Sequence, residues 1–117
     1  MYLVDSSAWI AHLKGSTTPL SKLLTDNEVL VHPFIVGELS CGTLKNREEF
    51  LSLMSSLPST LIADHQEVLI LIKERKLYGS GIGWIDAHLL VSCLLTNAKI
   101  LTYDKALSRA AKKLKIN

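Results

Sequence analysis

Residues 1–10, MYLVDSSAWI, join a short apolar run to a carboxylate, Asp5, and then to a helical pattern. The same order recurs at residues 99–104, KILTYD, where an apolar run leads to Asp104 and a further helical pattern follows. Apolar runs of this length, bounded by polar residues, are typical of buried strands. Because such strands alternate with helices along the chain, the sequence predicts an α/β fold, with a central parallel sheet flanked by helices on both faces.

The remaining elements follow from periodicity, capping residues, Gly and Pro. Strands are expected at 1–4, 29–31 and 99–102, with brief extended segments at 61–62 and 116. Helices are expected at about 6–13, 19–26, 33–42, 47–57, 65–76, 84–96 and 105–114, with Ser6 or Ser7 capping the first and Asp64 the fifth. We see no linker or internal repeat, so residues 1–117 are expected to form one domain.

Composition narrows the class of protein. The chain has 117 residues, 48% of them apolar, and a formal net charge of +2, which by itself does not indicate nucleic-acid binding. No apolar stretch approaches the ~20 residues of a membrane helix, and no basic segment precedes the first apolar run. We therefore expect a cytoplasmic protein without membrane association. Cys41 and Cys93 are expected to be reduced and largely buried, and the four histidines to be ordinary core or surface residues.

Four carboxylates stand near predicted strand ends or helix starts: Asp5, Glu38, Asp86 and Asp104. Each has an ordinary explanation, since Asp5 and Asp104 are good helix caps and Asp86 suits the first turn of a helix. Glu38 either faces solvent or interrupts a buried helix face. Together the four would meet at the carboxyl edge of the sheet, where two like charges ~4 Å apart repel by about 4 kcal/mol. Oxygen ligands of this kind suit Mg²⁺ or Mn²⁺, which indicates phosphoryl chemistry.

A glycine-rich segment, residues 79–83 (GSGIG), precedes the helix of Asp86. It lacks the Lys-Ser/Thr ending of a P-loop and follows no strand, so we interpret it as a flexible turn or lid. Basic side chains that could contact a phosphate backbone occur at Lys73, Arg75, Lys76 and Lys105.

Four segments resemble the motifs of PIN-domain ribonucleases, specifically the VapC-type toxins of toxin–antitoxin pairs. They are LVDSSAWI at 3–10, VGEL at 36–39, GWIDAHLL at 83–90 and LTYD at 101–104. The resemblance covers essentially the whole chain, with the motifs in order. One departure is Ala106, a position where the family often has a further acid.

The resemblance implies a Mg²⁺-dependent endoribonuclease in which Mn²⁺ can substitute. Asp5 and Asp86 would be the main metal ligands, and Asp104 would complete the site. Glu38 would bind a second ion or help orient and deprotonate the attacking water. Ser7, or alternatively Ser6, would position Asp5 or a metal-bound water by hydrogen bonding. The four acids and Ser7 are the catalytic candidates, and the four acids are also the metal candidates.

The resemblance also implies partners. They are an RNA substrate, a second copy of the chain in a homodimer, and a cognate antitoxin that blocks the acidic site, with an Arg paired to its acids. Trp9, Ile10 and Leu13 could form the antitoxin groove or could belong to the core.

Two other functions stay open from the sequence. A receiver-type signalling domain has similar length and a Mg²⁺-binding acidic cluster, but it requires two adjacent acids after its first strand, whereas Asp5 is followed by Ser6 and Ser7. A catalytically inactive PIN module that binds only RNA or protein is the other alternative.

Overall fold

The computed structural model describes residues 1–117 and contains one parallel sheet of three strands. The strands are β1 (Tyr2–Val4), β2 (Val29–Leu30) and β3 (Lys99–Leu101), in the order β2-β1-β3. In the register of the sheet Val4 pairs with Leu101, so the residues that follow β1 and β3 emerge side by side. This register brings Asp5 next to the end of β3.

Seven helices surround the sheet. They are α1 (Ser6–Leu13), α2 (Leu20–Thr25), α3 (Pro33–Ser40), α4 (Arg47–Ser56), α5 (His65–Glu74), α6 (Trp84–Thr96) and α7 (Lys105–Lys113). Leu3 and Val4 are consecutive residues of the central strand, so they point to opposite faces of the sheet. Both are fully buried, which shows that the sheet is covered on both sides as predicted.

Carboxylates cap three of the helices. Asp5 caps α1 and Asp104 caps α7, so the expectation that Ser6 or Ser7 caps the first helix is wrong. Asp64 caps α5 in a reciprocal capping box with Glu67, as the sequence predicts.

The extended segments are shorter than predicted. Val31 lies beyond β2 and makes only an isolated bridge with Ser59, and residues 61–62 form no strand. The carbonyl of Ile116 accepts a hydrogen bond from the backbone N–H of Ile100 at 2.7 Å, yet this single bond does not make a fourth strand.

The core is one cluster of 21 buried apolar residues, with a smaller cluster of four between α5 and α6. Helix α6 is the most deeply placed, with seven consecutive buried residues from Ala87 to Cys93. Burial raises the pKa of the Cys93 thiol to about 12. Cys41, in contrast, is exposed, so the expectation of two buried thiols is wrong for that residue. No helix has the length and apolar character needed to cross a membrane.

Candidate active site

Asp5 is held at the end of β1 by donors to both of its carboxylate oxygens. Oδ1 accepts hydrogen bonds from the Ala8 backbone N–H at 3.1 Å and from the Ser7 hydroxyl at 2.6 Å. Oδ2 accepts one from the Thr102 hydroxyl at 2.5 Å. These three hydrogen bonds fix the orientation of the carboxylate. Asp5 is also buried, with only 5% of the residue exposed. Since each carboxylate oxygen has two lone pairs, Oδ2 keeps one for another partner.

Thr102 and Ser7 connect the two strand ends that carry acids. The two hydroxyl oxygens are 3.3 Å apart. Ser7 also accepts from the Tyr103 N–H at 2.9 Å, and Thr102 accepts from the Asp104 N–H at 3.0 Å. The position of Asp104 is thus tied to that of Asp5. Ser7 makes the hydrogen bond to Asp5 that the family resemblance implies, whereas no role for Thr102 was predicted from the sequence.

Asp86 lies in the first turn of α6 and is half-buried. Its Oδ2 accepts a hydrogen bond from the backbone N–H of Gly83 at 3.3 Å. Partial burial, followed by the charges of Asp104 and Asp5, raises the pKa of Asp86, while the hydrogen bond from Gly83 opposes the shift. The first turn of α6 therefore places the Asp86 carboxylate close enough to Asp104 and Asp5 for their negative charges to raise its pKa.

Glu38 lies on α3, on an exposed part of the helix surface. Loss of solvation raises its pKa, and the charges of Asp86 and Asp5 raise it further. All four acids predicted from the sequence therefore share one electrostatic field. The sequence left open whether Glu38 faces solvent or interrupts a buried helix face, and the structure shows that it is exposed to solvent. It nevertheless lies near enough to Asp86 and Asp5 for their charges to raise its pKa.

The donor set of this acidic cluster suits a hard divalent cation. No three His, Cys, Asp or Glu side chains stand close enough together to hold a metal ion among them. Mg²⁺, however, usually keeps several waters and binds through only one or two carboxylates together with substrate phosphates. The carboxylates of this cluster offer only oxygen ligands and repel one another, so they suit a Mg²⁺ ion that is bound by one or two of them and by water.

Position 106 contributes no acid and packs against the glycine segment instead. A Cβ built on Gly81 would lie 3.4 Å from the Cβ of Ala106, and Gly81 has φ +86°, which favours glycine. The loop that leads to Asp86 thus lies against the start of α7, two residues after Asp104.

Three of the histidines form a cluster with two aromatic rings, a grouping that the sequence interpretation did not foresee. The His88 Nδ1 lies 3.0 Å from the Trp84 carbonyl, and its Nε2 lies 3.0 Å from His65 Nδ1. The rings of Phe34 and Trp84 pack against His88 at 5.2 and 4.4 Å between centroids. Burial, and then the charge of His88, lowers the pKa of His32 to about 4. His32 and His88 are therefore core residues, as expected, while His65 is exposed.

Basic side chains occur beside Asp104 and in a second, exposed group. Lys105 and Arg109 line a cavity of about 350 Å³ together with Thr102 and Asp104. The other basic group, at the end of α5 and just after it, is solvent-exposed at Lys73, Arg75 and Lys76. Lys105 and Arg109, beside Asp104, are placed to meet phosphates of a polyanion that approaches that acid.

Comparison with known proteins adds independent information. The family model of the PIN domain matches residues 2–113. Ribonuclease VapC32 of Mycobacterium tuberculosis, in strains CDC 1551 / Oshkosh and ATCC 25618 / H37Rv, is 41% identical over 111 residues, which are 94% of this chain and 90% of that protein. The crystal structure of PAE2754 from Pyrobaculum aerophilum is similar with a TM-score of 0.59 at 19% identity, covering 99% of this chain and 90% of that one. At 19% identity, the similarity to PAE2754 shows only that the two proteins share a fold.

Proposed function

The chain belongs to the PIN-domain family, and on this premise we propose that it is a metal-dependent endoribonuclease of the VapC type, the toxin of a toxin–antitoxin pair. The observation that supports this most strongly is the shared field of Asp5, Glu38, Asp86 and Asp104. The name of the relative from M. tuberculosis, a ribonuclease, agrees with it. Membership of the PIN family excludes the receiver-type signalling domain.

Asp5 and Asp86 would be the main ligands of Mg²⁺, or of Mn²⁺ in its place, directly or through bound water, and Asp104 and Glu38 would complete the site through further waters. When bound, the ion would stabilise charge on the scissile phosphate and acidify the attacking water. Asp5 offers its free Oδ2 lone pair, and Ser7 keeps that carboxylate in position. Loss of solvation, with the charges of Asp86 and Asp5, raises the pKa of the exposed Glu38, which suits this carboxylate to accept the proton of the water.

The test is RNA cleavage by the purified chain without an antitoxin, in Mg²⁺ and in EDTA, beside Asp5→Asn. Asn is as good a helix cap as Asp, so this variant keeps the start of α1 while it removes the charge. We expect cleavage that is lost in EDTA and in Asp5→Asn. Folded protein that cuts no RNA in a mixed tRNA and rRNA pool would favour the inactive PIN module.

We further propose that the antitoxin occupies a groove between α1 and the segment after α3. Two cavities of about 340 and 210 Å³ share Ile10, Thr43 and Leu44, and the larger also includes Glu38. A partner segment in this groove would reach the acids, where an Arg could pair with them. Ile10 and Leu13 are exposed as this role requires, but Trp9 is fully buried in the core and cannot take part.

A homodimer is the second assembly that we propose, through the outer face of α5. Leu69 and Ile70 on this helix are 49 and 53% exposed, and Leu61 and Ile62, in the segment before it, are each 60% exposed. If two copies of α5 met antiparallel about a twofold axis at Ile70, Glu67 of each would oppose Lys73 of the other. Such a self-complementary patch suits an isologous interface. Because its substrate is RNA, we place the enzyme in the cytoplasm.

A further inference from the structure

A small apolar pocket lies between the glycine segment and the start of α6. Its volume is about 160 Å³, roughly that of five water molecules at ~30 Å³ each. Tyr78 and Trp84 line it and are 66 and 43% exposed, and Ile72, Ile82 and Ala87 supply further apolar surface. A space of this size, with an apolar and aromatic lining, has room for a single ring system and is too small for a peptide or a whole nucleotide.

The Trp84 ring is held rigidly although nearly half of the residue is exposed. His88 packs edge-on against it at 4.4 Å between ring centroids, and His65 packs tilted at 5.6 Å. His88 is buried and has a polar neighbour within 3.0 Å at each ring nitrogen, so it does not give way. The histidine cluster therefore holds the Trp84 ring in place at the mouth of the pocket.

The pocket adjoins the acidic cluster through Gly83. This residue lines the pocket, and its N–H donates to Asp86 Oδ2 at 3.3 Å. Gly79 also lines the pocket with φ +70°, a conformation that favours glycine. A Cβ at either glycine would meet no protein atom within 4 Å, so the backbone leaves the entrance open.

From these contacts we infer that the pocket binds one unpaired nucleobase of the RNA substrate, stacked on Trp84 and Tyr78, while the attached phosphate lies at Asp86. The inference rests on the proposed ribonuclease function and adds a base-binding site to it. Stacking on aromatic side chains is the usual way in which proteins hold unpaired RNA bases. The exposed cation Lys76, on the segment that leads to Tyr78, provides a counter-charge for an adjoining phosphate. Base choice at this position would then depend on the fit of the ring between the two aromatic side chains.

Tryptophan fluorescence gives a direct reading of the pocket. The chain has two tryptophans, and Trp9 is fully buried, so a change on adding RNA reports on Trp84. The protein carries Asp5→Asn to prevent cleavage, with Mg²⁺ present. The probes are short single-stranded oligonucleotides of each base and a matched abasic oligomer. We expect saturable quenching by at least one base and none by the abasic oligomer. Equal quenching by all probes, or none while an end-labelled oligomer binds, would overturn the inference.

Affinity measurements on variants complete the test. Tyr78→Ala and Trp84→Leu, the latter retaining an apolar contact with His88, should each weaken oligonucleotide binding by roughly 5- to 150-fold, the contribution of one stacked base. Leu95→Ala truncates an equally exposed side chain at the far end of α6 and should change nothing. If both aromatic variants bind like the parent protein while the wild-type chain cleaves RNA, the base pocket is refuted and the ribonuclease stands. If the wild-type chain neither binds nor cleaves RNA, both are refuted.

Discussion

Thr102→Val removes the hydroxyl that joins Asp5 to Asp104 and leaves the shape of the side chain nearly unchanged. The substitution deletes the 2.5 Å hydrogen bond to Asp5 Oδ2 and the 3.0 Å bond from the Asp104 N–H. Asp5 keeps its bonds from Ser7 and Ala8, but both reach Oδ1. Oδ2, the oxygen with the free lone pair, therefore loses its only protein donor.

The size of the effect follows from the charge of the acceptor. A hydrogen bond to a charged group contributes about 1.5–3 kcal/mol. If that energy keeps Asp5 in its productive orientation, its loss corresponds to a roughly 10- to 150-fold decrease in kcat/KM. The Asp104 N–H is on an exposed residue, so water can replace its lost partner and the fold should remain intact.

The assay is steady-state RNA cleavage, with thermal melting of each variant to confirm that it is folded. Thr102→Ser retains the hydroxyl and should keep most of the activity. Thr25→Val, which removes a surface hydroxyl bonded only to the Ser21 carbonyl, is the matched control and should not affect cleavage. Full activity in folded Thr102→Val would refute the role that we give to this hydrogen bond.

Three further substitutions test other parts of the structure. His32→Asn keeps a cap acceptor for α3 but removes an imidazole whose pKa is lowered from 6.5 to about 4 in the folded chain. The contribution of the neutral imidazole to the free energy of unfolding is complete above pH 6.5 and is lost as the pH falls toward 4. In urea unfolding, the free energy of unfolding of the wild type should therefore fall by about 2 kcal/mol more than that of the variant between pH 7 and pH 5. Equal decreases in the two proteins would contradict the lowered pKa. Ile70→Lys should convert the proposed dimer to a monomer in light scattering, and an unchanged mass would exclude the α5 interface. Ile10→Asp should weaken antitoxin binding at least about tenfold in calorimetry while RNA cleavage persists, and unchanged antitoxin affinity would exclude the groove.

The grouping of Asp5, Asp86 and Asp104 could be predicted because the placement of each depends on local sequence. Asp5 and Asp104 directly follow apolar runs, and parallel strands deliver such residues to one edge whatever the details of packing. Asp86 is fixed by the start of α6, which begins at Trp84 as predicted. Each of these assignments needed only the boundary of one element.

Features that depend on contacts between distant segments were missed. The role of Thr102 requires the register in which Val4 pairs with Leu101, and nothing local to either strand specifies that register. The histidine cluster joins residues of α5 and α6 with the cap of α3, and no sequence spacing links them.

The first helix shows a different limit. Its apolar residues occur on most sides of a short segment, so periodicity does not separate the buried Trp9 from the exposed Ile10. Only the packing of Trp9 against Phe50, at 5.6 Å between ring centroids, decides which one belongs to the core.

The end groups of cleaved RNA test the central claim most directly. If Asp5, Glu38, Asp86 and Asp104 serve a metal-assisted attack by water, each cut made in Mg²⁺ leaves a 5′-phosphate and a 3′-hydroxyl. Mass spectrometry of the fragments distinguishes these ends from those made by attack of the RNA 2′-hydroxyl. A 2′,3′-cyclic phosphate, formed by wild type and undiminished in EDTA, would contradict the account.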